Sequence, residues 1–172
     1  MQLKNIKDIA ETISYIIVII GSFFAIYQYI DMLHQDKVKE TLSYESRLNS
    51  DKYLEAKSTI AKAWLPQEKF FKELQIRGVK STKDKDKILE LISTNVIEKN
   101  SLNNNIDLLC DFYDSLNICL EQNICDKKST INFFTPYANR FFKLHKSYIL
   151  TRREFIDNYC NGLENLINLK EK

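Results

Sequence analysis

The longest apolar stretch of the chain lies near its N-terminus. Nineteen consecutive uncharged residues, TISYIIVIIGSFFAIYQYI, run from Thr12 to Ile30. A helix of this length spans about 29 Å, close to the hydrocarbon thickness of a bilayer. Charged residues bracket the stretch, and tyrosines lie near both of its ends, as at membrane interfaces. The pattern predicts a transmembrane helix over residues 12–30, preceded by an N-terminal flank over residues 1–11.

Two alternatives produce similar patterns. A cleaved signal peptide has a shorter apolar stretch followed by small residues, whereas this stretch ends in YQYIDMLHQD. A buried helix of a soluble domain is the other alternative. The flanks do not decide the orientation, because two Lys precede the span and three Lys or Arg lie in residues 31–50.

One face of the predicted span carries small and polar side chains at heptad spacing. Its members are Ser14, Val18, Gly21, Ala25 and Gln28. Gly21 and Ala25 let two helix backbones approach closely, and Ser14 and Gln28 are able to bond across helices. The face predicts a homo-oligomer, and in a higher oligomer the same face would line a pore. Small residues are common in membrane spans, so the alternative is that this face has no role in self-association.

The rest of the chain shows helical periodicity throughout. Residues 31–64 lack Pro and Gly and predict a long connecting helix, broken near Asn49 and Ser50. Residues 65–172 predict a helical soluble domain, in which Pro66 starts a short helix that ends at Gly78. No segment alternates with period two for the length of a strand, so the expected fold class is all-α.

Four further helices are predicted within this domain, with boundaries near 85–97, 106–122, 130–150 and 153–169. The Asn residues of SLNNN and Ser129 are the expected N-caps of the second and third. Pro136 is expected to kink or interrupt the third helix.

The composition describes one globular domain with a modest core. It is 44% hydrophobic and 28% charged, with only three Gly and two Pro. The three glycines are too widely spaced for a phosphate-binding loop, and two histidines do not form a His-rich metal centre. We therefore expect no cofactor and no metal.

The four cysteines are Cys110, Cys119, Cys125 and Cys160. They have no CxxC spacing, which argues against zinc. Their positions in helical segments favour reduced thiols in a reducing compartment. On this basis we expect a single-pass protein of the cell inner membrane with a cytoplasmic C-terminal domain.

Charge is divided between two consecutive segments. Residues 100–126 contain five acids and no Lys or Arg, whereas residues 127–153 contain seven bases and no acid. The net charge is only +2, so duplex DNA is not an expected partner. The two helices are expected to run antiparallel, so that the acids of the first form ion pairs with the bases of the second.

The basic helix also suggests an anion-binding surface. Its candidate ligand residues are Arg140, Lys143, Lys146, Arg152 and Arg153. Phosphates of a nucleotide or of anionic lipid suit such a surface. Charge pairing with the acidic helix is the alternative.

Catalytic and metal chemistry find little support. Asp107, Asp111 and Asp114 share a helix face, but a solvated face explains them without a cation. His34 and His145 have no identifiable nucleophile beside them, so no catalytic site is expected.

Residues 107–153 resemble a family of small bacterial and phage membrane proteins of unknown function. Such proteins have an N-terminal span, a charged helix and a helical domain with a motif like LLxxxExLAxGIxxGIxDxxxI. The matching positions are Leu109, Phe112, Tyr113, Leu116, Ile118, Ile124 and Asp126, with Gln122-Asn123 where the family has Gly. Because members tend to occur among mobile-element and phage-defence genes, the resemblance implies an antiviral defence role and no catalytic residues.

These observations together predict a membrane-anchored, non-catalytic effector or regulator. Its helical domain is expected to sense a partner protein or an anionic signal such as a cyclic oligonucleotide, and its span to act on membrane lipid. The alternative is an interaction module that tethers a soluble complex to the membrane and has no effector action.

Overall fold

A computed structural model describes residues 2–76 and 82–169, with side chains for 13–73 and 86–169. Seven helices make up these residues, and no strand occurs among them. They are α1 (Gln2–Leu48), α2 (Asp51–Trp64), α3 (Gln67–Ile76), α4 (Thr82–Lys99), α5 (Asn103–Glu121), α6 (Lys127–Arg153) and α7 (Asn161–Asn168). The predicted all-α class is confirmed.

Helix α1 is one continuous helix of 47 residues, about 70 Å long. It is long and apolar enough to cross a membrane, and every side chain from Ile13 to Asp36 is exposed. Burial within the domain, as in the core helix of a soluble protein, is therefore not observed. The exposed Ile and Phe form a contiguous apolar surface of the kind that marks an interaction with a membrane or a protein partner.

The predicted breaks at Asn49-Ser50 and at Pro66 both occur. Ser50 is extended and is the N-cap residue of α2, and α3 begins directly after Pro66. The missing N–H of proline is tolerated at such a helix start.

The core of the domain forms around α5. Its buried side chains include Ile106, Phe112 and Leu116, all of which were expected to face inward from their helical spacing. They pack mainly against α2 on one side and α7 on the other, while α6 packs against α4 and α7. The core therefore depends on helices that are distant in sequence.

Two predicted caps are wrong. Leu102 occupies the N-cap position of α5 without a side-chain bond, so the Asn residues do not cap it. Asp126 caps α6 by accepting a hydrogen bond from the N–H of Ser129 at 2.8 Å. A carboxylate there also complements the helix dipole.

The end of the chain also differs from the prediction. Helix α6 continues through Pro136 without interruption. Proline has no N–H, so the carbonyl of Asn132 loses its partner within the helix. This loss is tolerated because Asn132 and Pro136 both lie on the solvent-exposed side of α6. The predicted last helix over 153–169 is shortened to α7. Turns over residues 154–160 precede it, and Asn158 and Cys160 adopt positive φ values of 62° and 59°.

The prediction of reduced thiols is wrong. Cys110 on α5 is bonded to Cys160, and Cys119 to Cys125, so no described cysteine is free. The first bond fixes the turn before α7 on α5, and the second closes the turn between α5 and α6. The argument for a reducing compartment no longer has support, since paired cysteines are typical of oxidising ones.

Candidate ligand-binding cavity

A cavity of about 580 Å³ opens between the end of α1 and helices α2, α3, α5 and α6. This volume lies within the range of small-molecule sites. Its walls are mostly apolar and aromatic, including Leu48, Ile60, Phe71, Tyr113 and Phe141. The described helices thus leave an apolar space that a small organic molecule is able to fill.

His145 lies in the wall of this cavity and is completely buried. Its Nδ1 lies 2.8 Å from the carbonyl oxygen of Phe141, which can only accept a hydrogen bond. Burial lowers the pKa of His145 to about 4, so the ring is neutral near pH 7. Nδ1 therefore carries the single proton, and Nε2 is a bare acceptor without a partner.

Trp64 supplies a second polar atom without a partner in the same wall. The residue is 9% exposed, and its Nε1–H donates no hydrogen bond. The ring meets His145 edge to face, with centroids 6.1 Å apart. A buried donor left unpaired costs about 1–3 kcal/mol, and the same holds for an acceptor. Two neighbouring rings of the cavity wall thus each have an unpaired polar atom that is itself buried.

Charged side chains among the lining residues balance each other. Lys57 and Arg140 are the bases, and Glu45 and Glu68 are the acids. Partial burial lowers the pKa of Lys57, an effect that Glu45 opposes. The lining therefore has no net preference for an anion.

The structure separates the five residues of the predicted anion site. Arg140 lines the cavity, whereas Lys143 and Lys146 are exposed. Arg152 donates to Asp107 at 3.1 Å and Arg153 to Glu164 at 2.6 Å. Twelve residues separate Arg140 from Arg152, about 18 Å along α6. The five bases do not converge on one point.

Two of the three aspartates on one face of α5, Asp107 and Asp114, form contacts within the fold. Asp107 also accepts hydrogen bonds from the hydroxyls of Tyr148 and Tyr159. Asp114 accepts a bond from the N–H of Gly162 at 2.6 Å, while Asp111 is exposed. Among the side chains that the structure describes, no group of three or more acidic, His or Cys residues is arranged to hold a metal ion.

All five residues of the predicted association face are exposed on α1, namely Ser14, Val18, Gly21, Ala25 and Gln28. A Cβ added at Gly21 meets no atom within 4 Å. The face is open to a second helix, and self-association stays a prediction.

The turn between α5 and α6 is fastened to α1 just beyond the candidate span. Thr41 is buried, and its hydroxyl accepts from the N–H of Asp126 at 2.9 Å. Lys37 donates to the side chain of Asn123 at 2.8 Å. With the Cys119–Cys125 bond closing the turn, α1 is attached to the domain at this level and again at the cavity.

The sequence pattern did not reveal the cavity. His145 lies among the bases of α6, and Trp64 reads as one more apolar position of α2. The only available signal was that Trp64 is the single tryptophan of the chain.

Comparisons with known proteins give no identity: no family model, no curated protein and no solved structure matches this chain. The resemblance to a phage-associated membrane family therefore stays a prediction.

Proposed function

We propose that this protein is a single-span membrane protein whose helical domain binds a small, largely apolar molecule and transmits its presence to the membrane through α1. One observation carries the proposal. The helix that contains the candidate span also supplies Glu45 and Leu48 to the cavity wall. A bound molecule would contact α1 directly, and a continuous helix is stiff enough to transmit a tilt or rotation.

The proposed role is binding rather than catalysis. His145 is held by a backbone carbonyl instead of a carboxylate, which is not the arrangement that activates a general base. A cyclic oligonucleotide fits this cavity less well than an apolar molecule, because the charges of its lining balance. An antiviral role is supported only by the resemblance, and the geometry does not bear on it.

The tethering function is the second candidate. It is favoured by the exposed side chains of Leu91 and Phe155, which are 74% and 80% exposed and lie outside the cavity. Apolar groups at the surface are able to anchor a soluble partner.

We also propose that the helical domain faces an oxidising compartment, opposite to the cytoplasmic orientation expected from the sequence. The two disulfides support this orientation, because cytosolic thiols are kept reduced. Alkaline phosphatase fused after residue 169 should be active, and green fluorescent protein fused there should not fluoresce. The reverse result would restore the cytoplasmic orientation.

Hydrogen–deuterium exchange of the full chain in lipid nanodiscs distinguishes sensing from tethering. With naphthalene as the probe, peptides covering residues 41–48 should exchange more slowly, together with peptides from α2 and α6. Ala61→Phe narrows the cavity from an exposed position of α2 and should abolish the change. Protection of α2 and α6 with unchanged exchange in α1 would favour the tethering function.

A further inference from the structure

Among the described hydrogen bonds and ion pairs between α1 and the rest of the domain, those of the α5–α6 turn lie nearest to the candidate span. The carboxylate of Asp126 lies 3.9 Å from Nδ1 of His34, and the N–H of Asp126 donates to the carbonyl oxygen of Lys37 at 3.3 Å. Farther along α1, Tyr44 donates to the carbonyl oxygen of Ser115 at 3.3 Å. Helix α5 therefore runs antiparallel to α1, and its C-terminal turn is directed toward the span. The inference that follows rests on the membrane span of the proposed function.

The position of His34 places this turn at the level of the lipid headgroups. His34 is four residues beyond Ile30, which is about 6 Å past the end of the candidate span along the helix axis. Lys37 lies about 10 Å past that end. The headgroup layer is about 5–8 Å thick on each side of the hydrocarbon core. When α1 crosses a membrane along its normal, the α5–α6 turn thus meets the headgroup layer.

Ile124 is the apolar residue that this turn presents to its surroundings. It is 47% exposed, next to the buried Cys125. Asn123 before it adopts a positive φ of 57°, and the N–H of Ile124 donates to the carbonyl oxygen of Cys119 at 3.0 Å. The bond between Cys119 and Cys125 closes the same turn. The shape of the turn is therefore fixed, and Ile124 is not free to withdraw into the core.

Lys127 and Lys128 add positive charge beside Ile124. Both are exposed and lie in the first turn of α6, where a cation opposes the helix dipole and does not stabilise the helix. Neither forms an ion pair within 4 Å among the side chains that the structure describes. Nearby exposed acids have partners; the pairs are Asp31–Gln35, Asp36–Lys39 and Glu121–Asn117. At the level of the headgroups, anionic lipids supply the missing partners for the two lysines.

We propose that the α5–α6 turn is a membrane-surface contact, in which Ile124 inserts among the lipid headgroups and Lys127 and Lys128 bind lipid phosphates. The domain is then attached to the membrane by α1 and by this turn. Anionic phospholipids are preferred, because lysines near the surface favour them. The alternative is that Ile124 only covers the last turn of α5, as a hydrophobic residue after a left-handed residue commonly does.

Fluorescence quenching tests the contact in the full chain, reconstituted in lipid nanodiscs that contain a phospholipid with a nitroxide on its headgroup. Ile124→Trp and Gln122→Trp each place a reporter in the turn, and the second leaves Ile124 unchanged. Phe155→Trp is the matched control, because Phe155 is 80% exposed just past the other end of α6, about 39 Å away along the helix. After subtraction of Trp64 emission, both turn reporters should be quenched and the control should not.

Competition between lipids tests the two lysines. Unlabelled phosphatidylglycerol should displace the labelled lipid from the Gln122→Trp reporter about fivefold better than phosphatidylcholine does, the preference expected when one lysine meets one anionic lipid. Lys127→Gln with Lys128→Gln should abolish this preference. Lys143→Gln with Lys146→Gln is the control, since these exposed bases lie about 24 Å farther along α6 and should leave the preference unchanged.

The outcomes separate this proposal from the function on which it rests. Phe23→Trp reports the span itself, from a residue that is 70% exposed on α1, with bromine on the lipid acyl chains as the quencher. If Phe23→Trp is quenched and the turn reporters behave like Phe155→Trp, the surface contact is overturned while the span stands. If Phe23→Trp is not quenched either, the proposed function fails as well. Quenching in the turn without a preference for phosphatidylglycerol would overturn the assignment of the lysines. A circular dichroism melt verifies that each variant is folded.

Discussion

The backbone N–H of Gly162 donates to the carboxylate of Asp114 at 2.6 Å, where α7 meets α5. A Cβ at position 162 would lie 2.6 Å from the carbonyl oxygen of Tyr113 and 2.6 Å from Cα of Asp114. Both are backbone atoms that cannot turn aside. The two helices are in contact here because residue 162 has no side chain.

Gly162→Ala should therefore destabilise the domain. Overpacking against backbone typically costs about 1–3 kcal/mol, which lowers the midpoint of urea unfolding. Fluorescence of Trp64 reports the transition. Gly21→Ala is the matched control, since nothing lies within 4 Å of a Cβ there. Equal midpoints for the two variants would mean that α7 does not pack this closely.

The two disulfides should stabilise the domain unequally. Cys110 and Cys160 are 50 residues apart, whereas Cys119 and Cys125 are six apart. The loop-entropy model gives about 4 kcal/mol for the first and about 2 kcal/mol for the second. Urea unfolding of the Cys110→Ala/Cys160→Ala and Cys119→Ala/Cys125→Ala variants checks the order.

The pairing itself is checked by mass spectrometry of peptides alkylated without reductant. Crosslinked peptides 110/160 and 119/125 are expected. Four alkylated cysteines in protein taken from membranes would contradict both disulfides and the proposed orientation.

Local pattern predicted the helices well, because each depends on neighbours in sequence. The spacing of Ile106, Phe112 and Leu116 placed one face of α5 in the core, and Pro66 marked a helix start. What the sequence did not reveal depends on contacts between distant segments. Cys110 meets Cys160 only because the turns before α7 reverse the chain.

The candidate site was predicted poorly for a related reason. The predicted anion site grouped the bases by their spacing along one helix. In the structure, Arg152 forms an ion pair with Asp107 on α5, and Arg153 forms one with Glu164 on α7. Trp64 Nε1 and His145 Nε2 are unpaired because the packing of the helices places no hydrogen-bond partner beside either nitrogen. No property of either segment alone contains that information.

Arg152 and Asp107 test whether the charge blocks stabilise the fold. Arg152→Glu should lower stability by about 1 kcal/mol, since the pair is partly exposed and screened by solvent. Asp107→Lys in the same chain should restore part of the loss. Tyr148 and Tyr159, which donate to Asp107, would still lose their acceptor.

Lys143→Glu with Lys146→Glu is the control for that charge reversal. Both side chains are exposed, so a change of about 0.5 kcal/mol or less is expected. If reversal of these two destabilises the domain as much as Arg152→Glu, the effect comes from net charge rather than from the ion pair.

The span offers a test of self-association that is independent of the domain. Gly21→Leu should weaken oligomers in detergent, because a bulky side chain separates the backbones. Ile16→Leu, on the opposite face, is the control. Sedimentation equilibrium measures both, and identical behaviour of the two variants would exclude this face as the interface.

The final prediction concerns acid stability and His145. Burial lowers its folded pKa to about 4, below the reference value of about 6.5 for an unfolded chain. Between these values the unfolded state binds a proton that the folded state does not. The free energy of unfolding is therefore highest above pH 6.5 and decreases as the pH falls, by at most about 3 kcal/mol in total.

Urea titrations at pH 7.0 and pH 5.0, monitored through Trp64, measure this dependence. His145→Gln should lower the free energy of unfolding at pH 7.0, because the packing of the imidazole ring is lost. The free energy of unfolding of this variant should also change less between pH 7.0 and pH 5.0. His34→Gln is the matched control, since the side chain of His34 is 62% exposed and faces Asp126 across 3.9 Å. If His145→Gln keeps the full pH dependence, another group is responsible, such as Asp126, whose pKa the hydrogen bonds from Ser129 lower, and His145 is not buried in its neutral form.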